Sequence, residues 1–170
     1  MLRRILVAGT SGSGKTTTAQ RLAQRLGIPH TEIDALFHGP GWVPRESFEA
    51  DVDAFSSEPA WVTEWQYNSV RPMLAERADT MVWLHFSRAK VMARLVRRTL
   101  RRRLRRIVLW NDNLEPPLWT FFSDRDHVIR WGWRTHNERE RQVPAAVAAH
   151  DLTLIEVRNQ RQLDRWIASL

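Results

Sequence analysis

The sequence predicts a three-layer α/β fold with a parallel sheet, and two observations support this prediction. Residues 4–8 form a short apolar run that leads into a glycine-rich segment, residues 9–16, and residues 16–26 then show the apolar spacing of a helix. Further apolar runs and helical patterns alternate along the rest of the chain, which is typical of a parallel sheet with right-handed crossovers. The length of 170 residues suits one domain, residues 1–170.

Each element of this fold follows from its local pattern. The predicted strands are residues 4–8, 30–36, 61–65, 80–86 and 152–157. The predicted helices are residues 16–26, 45–56, 70–77, 88–107, 124–150 with an interruption at Pro144, and 159–170. Residues 108–123 contain Pro116-Pro117 and are predicted to be a mobile aromatic loop.

The helix over residues 88–107 has two contrasting faces. Its predicted core face comprises Met92, Val96, Leu100, Leu104 and Ile107. The opposite face is basic and comprises Lys90, Arg94, Arg97, Arg98, Arg101 and Arg105. No acidic residue lies between residues 88 and 110, so these charges would repel one another unless an anion lay nearby. We therefore expect some of them, Arg94 and Arg98 in particular, to contact phosphate, although a solvated helix face is the alternative.

The composition limits the class of protein. The formal net charge is +7 and there are 24 Arg against 2 Lys, which suits a polyanionic ligand or reflects codon bias in a GC-rich genome. The absence of cysteine is consistent with a cytoplasmic protein. Neither a signal-peptide core nor an apolar run long enough to span a membrane is present in the sequence.

The glycine-rich segment GTSGSGKT fits the phosphate-binding pattern G-x-x-x-x-G-K-[ST] at every fixed position. Its backbone N–H groups and the helix N-terminus behind it would bind phosphates, Lys15 would reach the β- and γ-phosphates, and the Thr16 hydroxyl would bind Mg²⁺. The expected nucleotide-binding residues here are Gly9, Ser11, Gly12, Ser13, Gly14, Lys15, Thr16 and Thr17. The alternative is a chance Gly/Ser turn before a helix. The strand and helix on either side favour an ATP and Mg²⁺ site.

Two carboxylates come at or near the carboxyl ends of predicted strands, where ligands bind in open α/β sheets. Asp34 would orient or deprotonate an acceptor hydroxyl, and Glu64 would hold Mg²⁺ through water or contact the acceptor. The alternatives are a helix N-cap for Asp34 and an exposed loop acid for Glu64. Arg130 and Arg134 share a helical stripe with Arg141 and would close over the phosphates, or instead form a solvated stripe paired with nearby glutamates.

At this level of detail the chain resembles the adenylate-kinase-like P-loop proteins of the topology modulation (FlaR-type) group. The resemblance rests on the P-loop, on residues 33–37 followed by 40–42, on residues 61–67, and on residues 121–135. It implies a nucleoside-monophosphate-kinase fold with five parallel strands in order 2-3-1-4-5. It also implies an acceptor-binding segment over about residues 37–60 and a lid over about residues 108–123.

The same resemblance implies roles for further residues. Phe37, Trp42 and Tyr67 would contact the acceptor, and Arg158 follows the fifth strand where such kinases hold the adenine edge. Relatives usually carry Asp-Gly-Asn-Tyr after the third strand, whereas this chain carries Glu64-Trp65-Gln66-Tyr67. The carboxylate and the tyrosine are kept, and a bulky tryptophan replaces the glycine.

Three functions are open at this point. The first is a Mg²⁺- and ATP-dependent phosphotransferase acting on a small acceptor, such as a nucleotide or a nucleoside. The second is a nucleotide-gated nucleic-acid binder, which the basic composition and the group's name favour. The third is an ATP-binding protein that has lost catalysis.

Overall fold

The computed structural model describes residues 2–105, 107–113, 132–133 and 137–170. Its strands are β1 (Arg4–Ala8), β2 (Trp61–Glu64), β3 (Thr80–Leu84) and β4 (Thr153–Val157). Its helices are α1 (Lys15–Leu26), α2 (Ile33–Phe37), α3 (Phe48–Ser56), α4 (Arg71–Arg77), α5 (Arg88–Leu104), α6 (Glu138–His150) and α7 (Gln160–Ala168). Short 3-10 turns lie at Pro40–Trp42 and Trp110–Asp112.

The sheet is parallel and has the order β2-β1-β3-β4, with β1 in the interior. Val7 pairs with Glu64 on one side and with Val82 on the other. Helices α2, α3, α4 and α6 contribute to the core on one face of the sheet, and α1, α5 and α7 to the core on the other. This three-layer arrangement confirms the predicted fold class. All the carboxyl ends of the strands lie at one edge, which is where a ligand is expected.

The predicted strand over residues 30–36 is wrong in most of its length. Only His30 forms a parallel bridge, to Val62, and Ile33–Phe37 is helix α2. The reason is a tertiary contact, because the Glu64 carboxylate accepts the Ile33 N–H at 3.1 Å and so occupies a donor that a strand would have paired. The described sheet has four strands rather than five, and these keep the order 3-1-4-5 of the prediction.

The predicted core face of α5 is also wrong. The buried residues are Val91, Leu95 and Thr99, whereas Leu100 is 40% exposed and Leu104 is 77% exposed. The helix is turned so that its small and branched residues lie against the glycine-rich loop. A Cβ atom on Gly12 would come within 2.8 Å of both the Leu95 Cβ and the Val91 carbonyl oxygen. The face of α5 that packs closely against the backbone of Gly12 is buried, although the other face has more apolar residues.

Helix α6 does not break at the predicted interruption. Pro144 lies inside the continuous helix Glu138–His150, and its side chain is exposed. The earlier part of the predicted helix, residues 124–131, lies outside the described residues. No helix in the described part of the chain is both long and apolar enough to cross a membrane.

Candidate active site

The glycine-rich loop joins β1 to α1, and its backbone adopts conformations that suit glycine. Gly12 and Gly14 have φ angles of 85° and 96°. The loop is closed by a hydrogen bond from the Ser13 N–H to the Thr10 carbonyl, 3.1 Å long, and α1 begins immediately after Gly14. The helix N-terminus therefore points its unpaired N–H groups towards the space that the loop encloses.

Lys15 is buried, and its ammonium donates to the Thr10 carbonyl oxygen at 3.3 Å. Burial lowers the pKa of Lys15 to about 8, against the attraction of Asp34 and Glu64, and the positive charges of Arg139 and Arg98 lower it further. These four side chains are therefore close enough to Lys15 for their charges to affect it. Of the predicted site residues, Asp34, Glu64 and Arg98 therefore act on Lys15 through their charges, and Arg139 does so as well.

Arg94 supports the loop from helix α5. Its guanidinium donates to the Ser13 carbonyl oxygen at 3.4 Å and to the Gln160 side chain at 3.0 Å, and it lies over the Phe86 ring. Arg94, which was predicted to contact phosphate, thus binds the backbone of the phosphate loop and the start of α7. Arg158, the predicted adenine-edge residue, is exposed after β4 and donates to Glu156 at 2.9 Å. Arg130 and Arg134 lie outside the described residues.

Asp34 lies in the first turn of α2 rather than at a strand end. Its Oδ1 accepts hydrogen bonds from the Tyr67 hydroxyl at 2.6 Å and from the Gln66 amide at 2.7 Å. Its other carboxylate oxygen has no hydrogen-bond partner among the described residues, which leaves it available to a ligand. Burial and the adjacent Asp34 carboxylate raise the pKa of Tyr67 above its usual range, so this phenol is protonated and donates.

Glu64 is held by protein contacts on both oxygens. It accepts the Ile33 N–H and contacts the His30 ring at 3.2 Å, and it is only 1% exposed. Burial alone would raise its pKa, but the hydrogen bonds from His30 and the Ile33 N–H outweigh burial and lower the pKa. The carboxylate therefore stays charged and fixes the start of α2, which carries Asp34. Its expected role at Mg²⁺ or at the acceptor is not tested by this geometry.

The segment Glu64-Trp65-Gln66-Tyr67 as a whole shapes the site. Its three polar side chains all contact residues 30–34, whereas Trp65 is buried and donates from its indole to the Arg71 carbonyl oxygen at 3.3 Å. Tyr67 has a φ angle of 58°, an uncommon conformation for a large side chain that clusters at functional sites. The tryptophan that replaces glycine packs into the core on the α4 side.

An aromatic cluster lies at the predicted acceptor-binding segment, about residues 37–60. Phe37 stacks on Tyr67 with ring centroids 4.0 Å apart, and the His38 ring stacks on Trp110 and meets Trp42 edge-on. Of the predicted acceptor residues, Phe37 and Tyr67 are thus in direct contact with each other. Trp42 lies next to them, with a φ angle of 64°.

Residues 110–113, in the first part of the predicted mobile loop, contact this aromatic cluster. The Asn113 amide donates to the Gly39 and Trp110 carbonyl oxygens at 2.8 and 2.9 Å, and its oxygen accepts the Trp42 N–H at 3.0 Å. Asn113 is only 4% exposed. Trp110 and Asn113 therefore contact residues 38–42, and the mobility of residues 108–123 stays a prediction. Residues 114–123 lie outside the described residues.

Sequence reasoning missed three contributors to this region: Arg71, Arg139 and Asn113. Arg139 lies one turn before Val143, the buried residue of α6, so an apolar residue at i+4 was a usable signal for its direction. Asn113 gave no local signal, because its partners Gly39 and Trp42 are more than 70 residues away in the chain and only Trp110 is near.

The sequence of this chain matches a known protein family. A sequence-family model described as AAA domain matches residues 5–116, which is more than half of the chain. The chain belongs to this family. No curated protein sequence matches it.

Solved structures with the same fold include several small-molecule kinases. A gluconokinase from Sinorhizobium meliloti 1021 is 20% identical, with a TM-score of 0.55, and the match covers 98% of this chain and 92% of that chain. A shikimate kinase from Acinetobacter baumannii, solved with shikimate, is 18% identical, with a TM-score of 0.53 and coverage of 99% and 90%. A shikimate kinase from Bacteroides thetaiotaomicron is 15% identical, with a TM-score of 0.54 and coverage of 99% and 96%. These likenesses establish the P-loop kinase fold.

The residues of this AAA-domain protein fit a Mg²⁺-bound nucleotide. The Ser13 hydroxyl is buried and has no hydrogen-bond partner among the described residues, so a donor or acceptor group is free inside the loop. A Cβ atom on Gly9 would lie 2.5 Å from that hydroxyl, which shows how closely the loop backbone is packed. The described residues hold no cluster of three or more metal-ligating side chains. Mg²⁺ needs few protein ligands when phosphates supply the rest, and Thr16, the second residue of α1, carries a hydroxyl next to the loop.

Proposed function

We propose that this protein is a Mg²⁺- and ATP-dependent phosphotransferase that moves the γ-phosphoryl group to a hydroxyl of a small acceptor. The observation that carries the proposal is the placement of Asp34, which is hydrogen-bonded to Gln66 and Tyr67 just after β2, at the sheet edge from which β1 leads into the phosphate-binding loop. Lys15 stands in a phosphate-binding loop, and Asp34 presents a carboxylate oxygen with no partner among the described residues. The fold is shared with kinases of small hydroxylated molecules, which supports the same reaction class.

The reaction follows from the placement of these groups. The loop N–H groups and Lys15 bind the β- and γ-phosphates, and Arg98, whose charge acts on Lys15, would offset the negative charge of the transferring group. Asp34 accepts the proton of the acceptor hydroxyl, and the hydroxyl oxygen forms a bond to the γ-phosphorus. The bond from that phosphorus to the β–γ bridging oxygen breaks, and ADP leaves. Bound Mg²⁺, held by Thr16, would neutralise phosphate charge.

Tyr67 and Gln66 are positioning residues in this scheme, because they hold one oxygen of Asp34 and so aim the other. Phe37 and Trp42 would form the acceptor wall. We also propose that the protein belongs to the topology modulation group. The contact between Asp34 and Tyr67 supports this, because the two residues belong to the segments on which that resemblance rests. We also propose that residues 1–170 act as one domain and that the protein works in the cytoplasm.

The test is phosphoryl transfer from [γ-³²P]ATP to a panel of nucleosides, nucleoside monophosphates, sugars and hydroxy acids. Lys15→Ala should lower kcat/KM for the responding acceptor by at least about a hundredfold, since it removes a charge that acts on the transferring phosphates. Arg25→Ala, an exposed cation further along α1, is the matched control and should keep full activity. Transfer that survives in Lys15→Ala would contradict the proposal. ATP binding without transfer to any acceptor would favour the catalytically silent alternative.

A second function has one observation in its favour. Arg97 and Arg101 on α5 and Arg105 just after it are exposed and form no ion pair with a described carboxylate, so they are available to a polyanion such as nucleic acid. Binding of a DNA duplex that differs between the ATP and ADP states would support this function. Affinity that depends on salt alone would reflect the charge and nothing more.

A further inference from the structure

Two arginines from different helices meet over one aromatic ring. Arg71 begins α4 and Arg139 lies in the first turn of α6, and their guanidinium carbons lie 5.2 and 5.9 Å from the centroid of the Trp65 ring. Both guanidinium groups donate to the same oxygen, Oε1 of Gln142, with Arg71 at 3.1 Å. The two cations are thus held side by side by a single neutral acceptor.

Nearby protein groups compensate this pair of charges only in part, because the charge of Glu138 acts on both without a described ion pair. Both side chains are half-buried, and neither forms an ion pair with a described carboxylate. The Nε atom of each is buried and has no hydrogen-bond partner among the described residues. Burial, and after it the charge of Arg139, lowers the pKa of Arg71 to about 10, although the charge of Glu138 opposes this. The face of Trp65 attracts cations but supplies no negative charge.

The pair lies beside the reaction centre. The charge of Arg139 acts on Lys15, and Arg139 also lines a small cavity with Thr10 of the phosphate loop and with His85. Arg71 begins the helix that follows Tyr67, whose hydroxyl holds Asp34, and the Arg71 N–H donates to the Tyr67 carbonyl oxygen at 3.1 Å. Arg139 therefore lies beside the phosphate loop, and the backbone of Arg71 is joined to the segment that holds Asp34.

We propose that Arg71 and Arg139 bind an oxyanion group, a carboxylate or a phosphate, on the acceptor molecule, so that the substrate class is an acidic hydroxyl compound. This inference rests on the proposed phosphotransferase function and deepens it. Guanidinium groups bind carboxylate and phosphate through paired N–H donors, and among the described residues each of these two groups donates from one Nη only, to Gln142. The anion neutralises the two adjacent cations and fixes the acceptor at the end away from its reacting hydroxyl.

The experiment measures anion binding separately from catalysis. Inorganic phosphate and glycolate are titrated calorimetrically into the full chain saturated with a non-hydrolysable Mg·ATP analogue, which fills the phosphate loop. The variants are Arg71→Gln, Arg139→Gln and the charge-keeping Arg71→Lys and Arg139→Lys. Arg141→Gln is the control, because Arg141 lies two residues from Arg139 on the same helix and is exposed. A cooperative melt establishes that each variant is folded.

We expect at least a tenfold weaker affinity in each Gln variant, an intermediate loss in the Lys variants, and no change in Arg141→Gln. Preference for phosphate identifies a phosphorylated acceptor, and preference for glycolate identifies a hydroxy acid. Either result supports the proposal. Binding of neither anion by the wild type, or equal binding by the folded Gln variants, would overturn it.

Transfer assays then separate this inference from the proposed function. Anion binding that depends on the two arginines, without transfer to any acceptor, would sink the phosphotransferase and leave the anion site standing. Conversely, transfer to an uncharged acceptor that is unchanged in Arg71→Gln and Arg139→Gln would remove the anion site alone. If both proposals hold, the Gln variants should raise the acceptor KM far more than they lower kcat.

Discussion

The Tyr67 hydroxyl donates a 2.6 Å hydrogen bond to Oδ1 of Asp34 and joins the segment after β2 to the first turn of α2. The same oxygen accepts the Gln66 amide, so one half of the carboxylate is fully engaged. Phe37, one turn after Asp34, stacks on the Tyr67 ring and holds the pair in register. The direction of the free Asp34 oxygen is therefore set by protein contacts before any ligand binds.

This hydrogen bond should be measurable without knowing the acceptor. A double-mutant cycle with Tyr67→Phe and Asp34→Ala, followed by urea denaturation, should give a coupling of about 1–2 kcal/mol, because the bond involves a charged acceptor. Phenylalanine keeps the ring that stacks on Phe37, so the packing change is small. Additive effects of the two substitutions would show that the contact contributes nothing to stability.

The buried ammonium of Lys15 predicts an unusual pH dependence of stability. Its pKa is about 8 in the folded protein, against 10.5 for the free side chain, so between these values the unfolded chain binds more protons. The wild-type free energy of unfolding should therefore rise between about pH 8 and pH 10.5 because of Lys15. Below this range, the full destabilising cost of burying the Lys15 charge is present.

Lys15→Met removes this cost, so without nucleotide it should be more stable than the wild type at pH 7, on the order of 3 kcal/mol. The difference should shrink towards zero as the pH approaches 10.5. Urea denaturation of both proteins at several pH values between 7 and 10 gives the comparison. A difference that stays constant over this range would refute the linkage.

Gly12 should tolerate no side chain. Its φ angle is 85°, and a Cβ atom would lie 2.8 Å from both the Leu95 Cβ and the Val91 carbonyl oxygen. Backbone strain and overpacking together should cost Gly12→Ala at least about 2 kcal/mol and should abolish ATP binding. Gly41→Ala is the matched control, because Gly41 has a φ angle of 68° and no atom within 4 Å of the added Cβ. Thermal melts and ATP titration of both variants make the comparison, and similar losses in the two would disprove the packing argument.

Asn113 should hold residues 107–113 against residues 38–44. Asn113→Ala leaves the Gly39 carbonyl and the Trp42 N–H without their side-chain partner, which should cost roughly 2–4 kcal/mol locally. Hydrogen exchange followed by mass spectrometry should show faster exchange in both segments, while β1 and β3 stay protected. Unchanged exchange at Trp42 would mean that other contacts hold the segments together.

The sequence predicted well the features that are encoded by neighbouring residues. The loop over residues 9–16 needs glycines, a lysine and a helix start in one contiguous stretch, and the structure has all of them. Strand–helix alternation predicted that the strands would be parallel, and the order of the four described strands matches what the resemblance to adenylate-kinase-like proteins implied.

The errors arose where distant residues decide the outcome. Residues 33–37 are helical because Glu64, about 30 residues away, takes the Ile33 N–H. The buried face of α5 is set by Gly12, which lets Val91 and Leu95 approach backbone, and so the more numerous apolar residues Val96, Leu100 and Leu104 face outwards. No local pattern contains either piece of information.

The sequence could not predict that Arg71 and Arg139 both bind Gln142, because Arg71 is distant from the other two in the chain. Each is one arginine among many in a strongly basic chain, and only the packing of α4 against α6 distinguishes them. The site is thus predictable where one loop builds it and hidden where separate helices build it.

The interior position of β1 in the sheet has a consequence for how the chain folds during synthesis. Arg4–Ala8 leaves the ribosome before its partners and cannot pair until Trp61–Glu64 and Thr80–Leu84 have been made, and β3 has no second neighbour until Thr153–Val157 appears. At about 5–20 residues per second, the apolar first strand waits several seconds without a partner. Such late, non-local pairing makes folding slow and exposes the nascent chain to aggregation. Early chaperone capture of the N-terminal segment would therefore benefit this protein more than one built from local helix pairs.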